Sequence, residues 1–124
     1  MKATELRIGN YVDYKCIAFE IKEPIYKVEN GADIQMHQND NYFKFKPIPL
    51  TEQWLKDFGF KVRFVDENDN NVFKLENLKI VFKKTVIYFG IWNVDFYKFK
   101  KKIKYVHQLQ NICFALTGKE LTKQ

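Results

Sequence analysis

The 124-residue chain has no serine, two histidines, two arginines, two cysteines and only five glycines. Without serine there is no serine nucleophile for a hydrolytic triad. His37 and His107 are too few for a three-histidine metal site. Cys113 stands six positions after His107, about 240° around a helix, so the two do not form an activated Cys–His pair. Cys16 and Cys113 lie 97 positions apart with no Cys-x-x-Cys spacing, which argues against a disulfide framework or a zinc or redox element and for two buried thiols. The glycines are isolated, so neither a phosphate-cradling loop nor a dinucleotide fingerprint is present. No apolar run approaches the roughly 20 residues of a membrane span. The start, Met1-Lys2-Ala3-Thr4-Glu5, lacks the apolar stretch of a signal peptide, so a cytoplasmic protein is expected. What remains for an enzyme is scattered carboxylates that could converge only in space. The expectation is a non-enzymatic protein without cofactor or resident metal.

What the chain does have is aromatic residues and lysine. Phe, Tyr, Met, Ile, Asn and Lys make up 61 of the 124 residues, and 19 of the 21 basic residues are lysine. These six residues have AT-rich codons, so part of the net charge of +6 is mutational background. A chain selected to grip phosphate would use more arginine, whose planar fork bonds bidentately. The charge is unevenly distributed: residues 1–71 carry −2 and residues 72–124 carry +8. The densest point is Lys98, Lys100, Lys101, Lys102 and Lys104, read either as a solvated sheet edge guarded by lysine or as a contact surface for an acidic partner.

Hydrophobic alternation predicts short strands at Leu6–Ile8, Tyr11–Tyr14, Ile17–Ile21 and Tyr42–Lys46. Ile25–Glu29 and Ala32–Met36 flank Asn30-Gly31, the dipeptide of a tight hairpin turn, so a hairpin is expected there. After Pro47-Ile48-Pro49, Thr51 is placed to cap a helix over about 51–58 that ends at Gly59, with Trp54, Leu55 and Phe58 on its core face. Strands resume at Lys61–Val65, Val72–Leu75, Leu78–Lys83, Val86–Trp92 and Phe96–Phe99. The Asp66–Asn71 loop lacks the glycine and glutamate of a calcium loop, and reads as a turn. A final helix over about 105–117 closes at Gly118. Its packing stripe is predicted as Tyr105, Leu109, Ile112, Cys113 and Leu116, with Val106 at the margin. The opposite face, His107, Gln110, Asn111 and Phe114, is either a partner-binding face or one over which the N-terminal part folds. The fold class is α+β, an antiparallel short-stranded sheet or small barrel with two helices, in a single domain.

Three segments carry a resemblance: Glu5-Leu6-Arg7-Ile8-Gly9-Asn10-Tyr11-Val12, the run from Pro49 through Thr51-Glu52-Gln53-Trp54-Leu55-Lys56-Asp57-Phe58 to Phe60, and Lys104-Tyr105-Val106-His107-Gln108-Leu109-Gln110-Asn111 on to Leu121. In order and spacing the chain resembles a family of small uncharacterised proteins found in phages, prophages and mobile elements of Bacteroidota. The resemblance implies no biochemical activity. By analogy it implies an accessory factor, such as an inhibitor of host antiviral defence of the anti-CRISPR kind.

The leading functional expectation is thus a phage-type protein that binds and blocks a host protein or ribonucleoprotein. A nucleic-acid-binding module is the alternative, in which Lys98 to Lys104 neutralise phosphates while Trp92, Tyr97 or Phe99 stack bases. A structural or assembly subunit of a phage particle comes third. Neither a membrane nor a small-molecule cofactor is expected as partner.

Overall fold

The computed structural model describes residues 2–16, 25–39, 43–83, 86–92 and 100–124. It is an α+β protein. The described residues form strands β1 (Tyr11–Cys16), β2 (Ile25–Lys27), β3 (Phe43–Lys46), β4 (Lys61–Val65), β5 (Asn71–Leu75), β6 (Leu78–Phe82), β7 (Ile87–Ile91) and β8 (Lys101–Ile103). The helices are α1 (Gly31–Asn39), α2 (Glu52–Asp57) and α3 (Val106–Thr117). The chain divides into two compact units, Met1–Pro49 with Tyr105–Glu120, and Leu50–Lys104 with Leu121–Gln124. The strands predicted at Ile17–Ile21 and Phe96–Phe99 lie outside the described residues.

In the first unit β1 is the centre of a three-stranded antiparallel sheet in the order β2-β1-β3. Leu6, Val12, Val28 and Phe45 form its core, with Tyr14, Tyr26, Ile34 and Met36 packed against them. The hairpin expected at Asn30-Gly31 is absent: residues 31–39 are helix α1. A type I′ turn needs positive φ at both central residues, and neither Asn30 nor Gly31 has it. Instead Asn30 caps the helix, its Oδ1 accepting the Asp33 N–H at 3.1 Å, while Asp33 Oδ2 accepts the Glu29 N–H at 2.9 Å and the Tyr26 hydroxyl at 3.1 Å. The helix buries His37, whose Nδ1 accepts the Phe45 N–H of β3 at 3.1 Å. Local capping and a tertiary bond to β3 outweigh the turn preference of the dipeptide.

The strand expected at Leu6–Ile8 is likewise a turn, following a 3-10 turn at Ala3–Glu5. Asn10 closes it: its Oδ1 accepts the Arg7 N–H at 2.7 Å, and its own N–H donates to the Arg7 carbonyl at 3.0 Å. Gly9 sits inside this turn at φ +98°, where a side chain would be strained.

The second unit follows the sequence pattern closely. Pro47 and Pro49 precede a two-turn helix, α2, whose Thr51 Oγ1 accepts the Trp54 N–H at 3.4 Å. Trp54, Leu55 and Phe58 are buried, as the face predicted. Strands β4 to β8 then form a five-stranded antiparallel meander in sequential order. The 66–71 segment is a turn in which Asp66 Oδ1 accepts the N–H groups of Asn68 and Asn70 at 2.9 and 3.0 Å.

Pairing decides what each face of this sheet carries, because residues directly opposite one another point the same way. Val62, Phe73, Ile80 and Phe89 form one cross-strand row, and all but Val62 are buried. α2 lies on this side. Glu52 Oε1 accepts from Asn71 Nδ2 at 3.0 Å, and Leu75 lies 3.9 Å from where a Cβ on Gly59 would stand. The other face presents two rows, Phe64-Val72-Val81-Tyr88-Lys102 and Lys61-Lys74-Lys79-Gly90.

Candidate functional site

The polar face of α3 is turned inward and engaged. Gln110 is fully buried; its Oε1 accepts the Tyr11 N–H at 2.8 Å and its Nε2 donates to the Gly9 carbonyl at 2.9 Å. The amide thus pairs with the start of β1 as a neighbouring strand would. Asn111 is equally occupied, its Oδ1 accepting from Arg7 Nε at 3.1 Å and Asn10 Nδ2 at 2.8 Å while its Nδ2 donates to the Glu5 carbonyl at 2.9 Å. His107 is buried with Nε2 3.5 Å from Glu5 Oε1. Burial holds its pKa below the ordinary histidine value, and Glu5 opposes that shift.

Of the four residues predicted on this face only Phe114 is exposed, and the Arg7 guanidinium lies 4.2 Å from its ring centre. The buried stripe of α3 is Val106, Leu109, Gln110 and Cys113, with His107 beside it. It is rotated from the predicted one: Leu116, expected in the core, is 51% exposed. The reason is that residues 5–11 fold over the flank of His107 and Gln110, so the apolar side of the helix is not its only covered side.

The described lysines of the cluster do not form a single patch. Lys98 and Tyr97 lie outside the described residues. Lys101 is paired with Phe89 and belongs to the α2 side of the sheet, while Lys102 is paired with Tyr88 and belongs to the open side. Lys104 is exposed beyond β8, its carbonyl accepting the Leu50 N–H at 2.9 Å. Lys100 turns to the open side, its Nζ 4.3 Å from the Tyr88 ring centre.

It is this open face that gathers the notable chemistry. Trp92, predicted as a stacking residue, lies on it with the Nζ atoms of Lys74 and Lys79 at 4.9 and 5.3 Å from its ring. Phe64 meets Trp92 edge to face, centroids 6.1 Å apart. Tyr88 carries a second lysine, Lys83, at 5.1 Å. With Lys61 and Lys102, the described residues give this face six lysines and three aromatic rings. Among the described residues the two cross-strand rows carry no Asp or Glu, and Asp66 and Glu67 lie in the turn at one end of the face. On this face Val72 and Val81 are buried. Five strands at about 4.8 Å spacing make the face roughly 19 Å across.

Phe64, Lys74, Lys79, Lys83 and Tyr88 were not singled out in the sequence, yet their signal is present. Lys79-Val81-Lys83 and Tyr88-Gly90-Trp92 recur with period two, which in strands already assigned places each set on one face. Only the register shows that the two faces coincide.

At one end of the face a cavity of about 370 Å³ opens between the β4–β5 turn and the lysines. Val72 and Val81 line it together with Phe64, Lys79, Lys83 and Lys100, and Asp66, Glu67 and Asn68 stand at its rim. The Asp66 carboxyl is held below the usual carboxylate range, chiefly by the Asn70 N–H. Among the described residues no three metal-type side chains cluster, and no helix is long and apolar enough to cross a membrane. Compared with protein-family models, with curated proteins and with solved structures, the chain has no match.

Proposed function

We propose that the protein is a non-enzymatic accessory factor, acting inside the cell, that binds single-stranded nucleic acid on the open face of the β4–β8 sheet. The observation that carries this reading is that, among the described residues, six lysines and three aromatic rings share one sheet face, with Asp66 and Glu67 confined to the turn at one end of it. Codon bias raises the number of lysines in a chain but does not sort them onto one face. Ammonium groups supply the phosphate contacts and aromatic rings the base stacking on which sequence-tolerant single-strand binding rests. A flat sheet surface offers rings to unstacked bases, whereas a duplex keeps its bases stacked inside. In the free protein the lysines lie over the rings; a bound strand replaces them there, and the ammonium groups move to the phosphates.

A protein-directed blocker acting through α3 is left with Phe114 as the exposed anchor on the His107, Gln110, Asn111 and Phe114 face. The same basic sheet could meet an acidic protein or a ribonucleoprotein, and the test separates these outcomes. Fluorescence anisotropy with a labelled 12-nucleotide single strand is measured at about 50 and 200 mM salt. At a slope of about 0.7 per phosphate, neutralising four phosphates predicts a roughly 50-fold loss of affinity across that range. Lys74→Glu with Lys79→Glu should abolish binding. No binding at the lower salt, together with nuclease-resistant capture of an acidic host protein on the same face, would replace this reading with the blocker.

A further inference from the structure

We infer that the cavity at the Phe64 end of the open face is a base-selective subsite that takes one guanine, read by the carboxylate of Glu67. The inference rests on the single-strand reading above and adds sequence preference to it.

The cavity is built like a nucleobase site. Its volume, about 370 Å³, lies within the range of small-ligand pockets, roughly 300 to 1,000 Å³. Val72 and Val81 give it an apolar floor, and Phe64, 44% exposed, gives it an aromatic wall. Lys83 and Lys100 also line it and serve as phosphate partners. A base therefore finds a stacking surface, an apolar seat and cations for its backbone within one recess.

The rim supplies the selectivity. Among the described lining residues it is the part of this otherwise basic recess that carries carboxylates. Asp66 is engaged within its own turn, both oxygens accepting hydrogen bonds from residues 68 and 70. Glu67 is the exposed carboxylate at the rim. A carboxylate only accepts, so it favours a base edge that presents donors. Guanine presents two adjacent ones, N1–H and the N2 amino group, which one carboxylate can accept together. Adenine and cytosine place an acceptor beside their amino group, and uracil and thymine flank N3–H with carbonyl oxygens; each would set a lone pair against the carboxylate.

The test is a competition series of five-nucleotide single strands, thymine throughout except for a central G, A, C or T. The G-centred strand is expected to bind about tenfold more tightly than the others, the discrimination of one bidentate contact. Glu67→Gln should remove that preference while leaving affinity for the all-thymine strand unchanged or raised, because a negative charge near phosphate is gone. Glu67 is exposed, and circular dichroism of the variant checks that it folds. Equal binding of all four strands, or a guanine preference that survives Glu67→Gln, overturns the subsite and leaves the single-strand reading intact. Failure of every strand to bind overturns both.

Discussion

Arg7 and Glu120, 113 positions apart, are joined by two hydrogen bonds, Nη1 to Oε2 at 2.5 Å and Nη2 to Oε1 at 2.9 Å. The fork fastens the N-terminal turn to the segment just after α3. The same guanidinium donates to Asn111 Oδ1 and to the Gln110 carbonyl and covers the Phe114 ring. The Glu5–Val12 and Lys104–Leu121 segments are therefore in contact through their polar residues. Their residue choices have a structural reason that needs no partner.

Arg7→Ala should be clearly destabilising. Both partners keep under a third of their side-chain surface exposed, and the substitution leaves Asn111, the Gln110 carbonyl and Glu120 each short of a donor. A loss of about 1 to 3 kcal/mol is expected, a fall of about 5 °C or more in Tm. Arg7→Lys should recover only part of it, since an ammonium cannot form the fork. Thermal denaturation of the three proteins checks this, and equal Tm values would show the fork to be energetically idle.

Stability should fall as pH drops through the range of His107. Burial lowers its folded pKa below the ordinary value of about 6.5, so folding favours the neutral ring. For a lowered histidine the stabilisation is complete above the unfolded pKa. It declines as pH falls toward the folded pKa, then levels off. Urea midpoints at about pH 7.5 and 5.5, above the range where Glu5 titrates, should differ in the wild type and differ less in His107→Gln. Glu5→Gln removes the carboxylate that opposes the shift and should enlarge the difference.

Cys113 should be inert in the folded protein. It is 1% exposed, and burial pushes its thiol up to about 12. Thiolate is the reactive species. Peptide mapping after iodoacetamide treatment at about pH 8 should find Cys113 unmodified until denaturant is added; rapid modification under native conditions would contradict its packing on α3.

Two substitutions at the start of α1 discriminate the helix from the hairpin that the dipeptide suggests. Asn30→Ala removes the cap and should cost about 1 kcal/mol. Gly31→Ala meets nothing within 4 Å and has no positive φ to strain, so it should stabilise by about 0.5 kcal/mol. In a type I′ turn the second change would destabilise instead. The sign of that shift in chemical denaturation is the measurement.

Where the local signal was self-sufficient, the sequence determined the structure. Thr51 with the buried Trp54-Leu55-Phe58 face specified α2, Gly118 at φ 72° specified the end of α3, and alternation specified strands β4 to β7. Each depends on residues a few positions apart, whose geometry backbone periodicity sets. Asn30-Gly31 shows the limit, because a cap and a turn use the same residue types and the choice was made by Phe45, whose N–H binds His37 from another strand. The flank of α3 was decided in the same way by Arg7, Asn10 and Tyr11, about a hundred positions away. The open face needed tertiary structure most of all. Alternation places Lys79 with Lys83 and Tyr88 with Trp92, but only inter-strand register sets Lys74 and Lys79 beside Trp92, and Lys83 and Lys100 beside Tyr88, because pairing across strands is a long-range choice that no local pattern encodes.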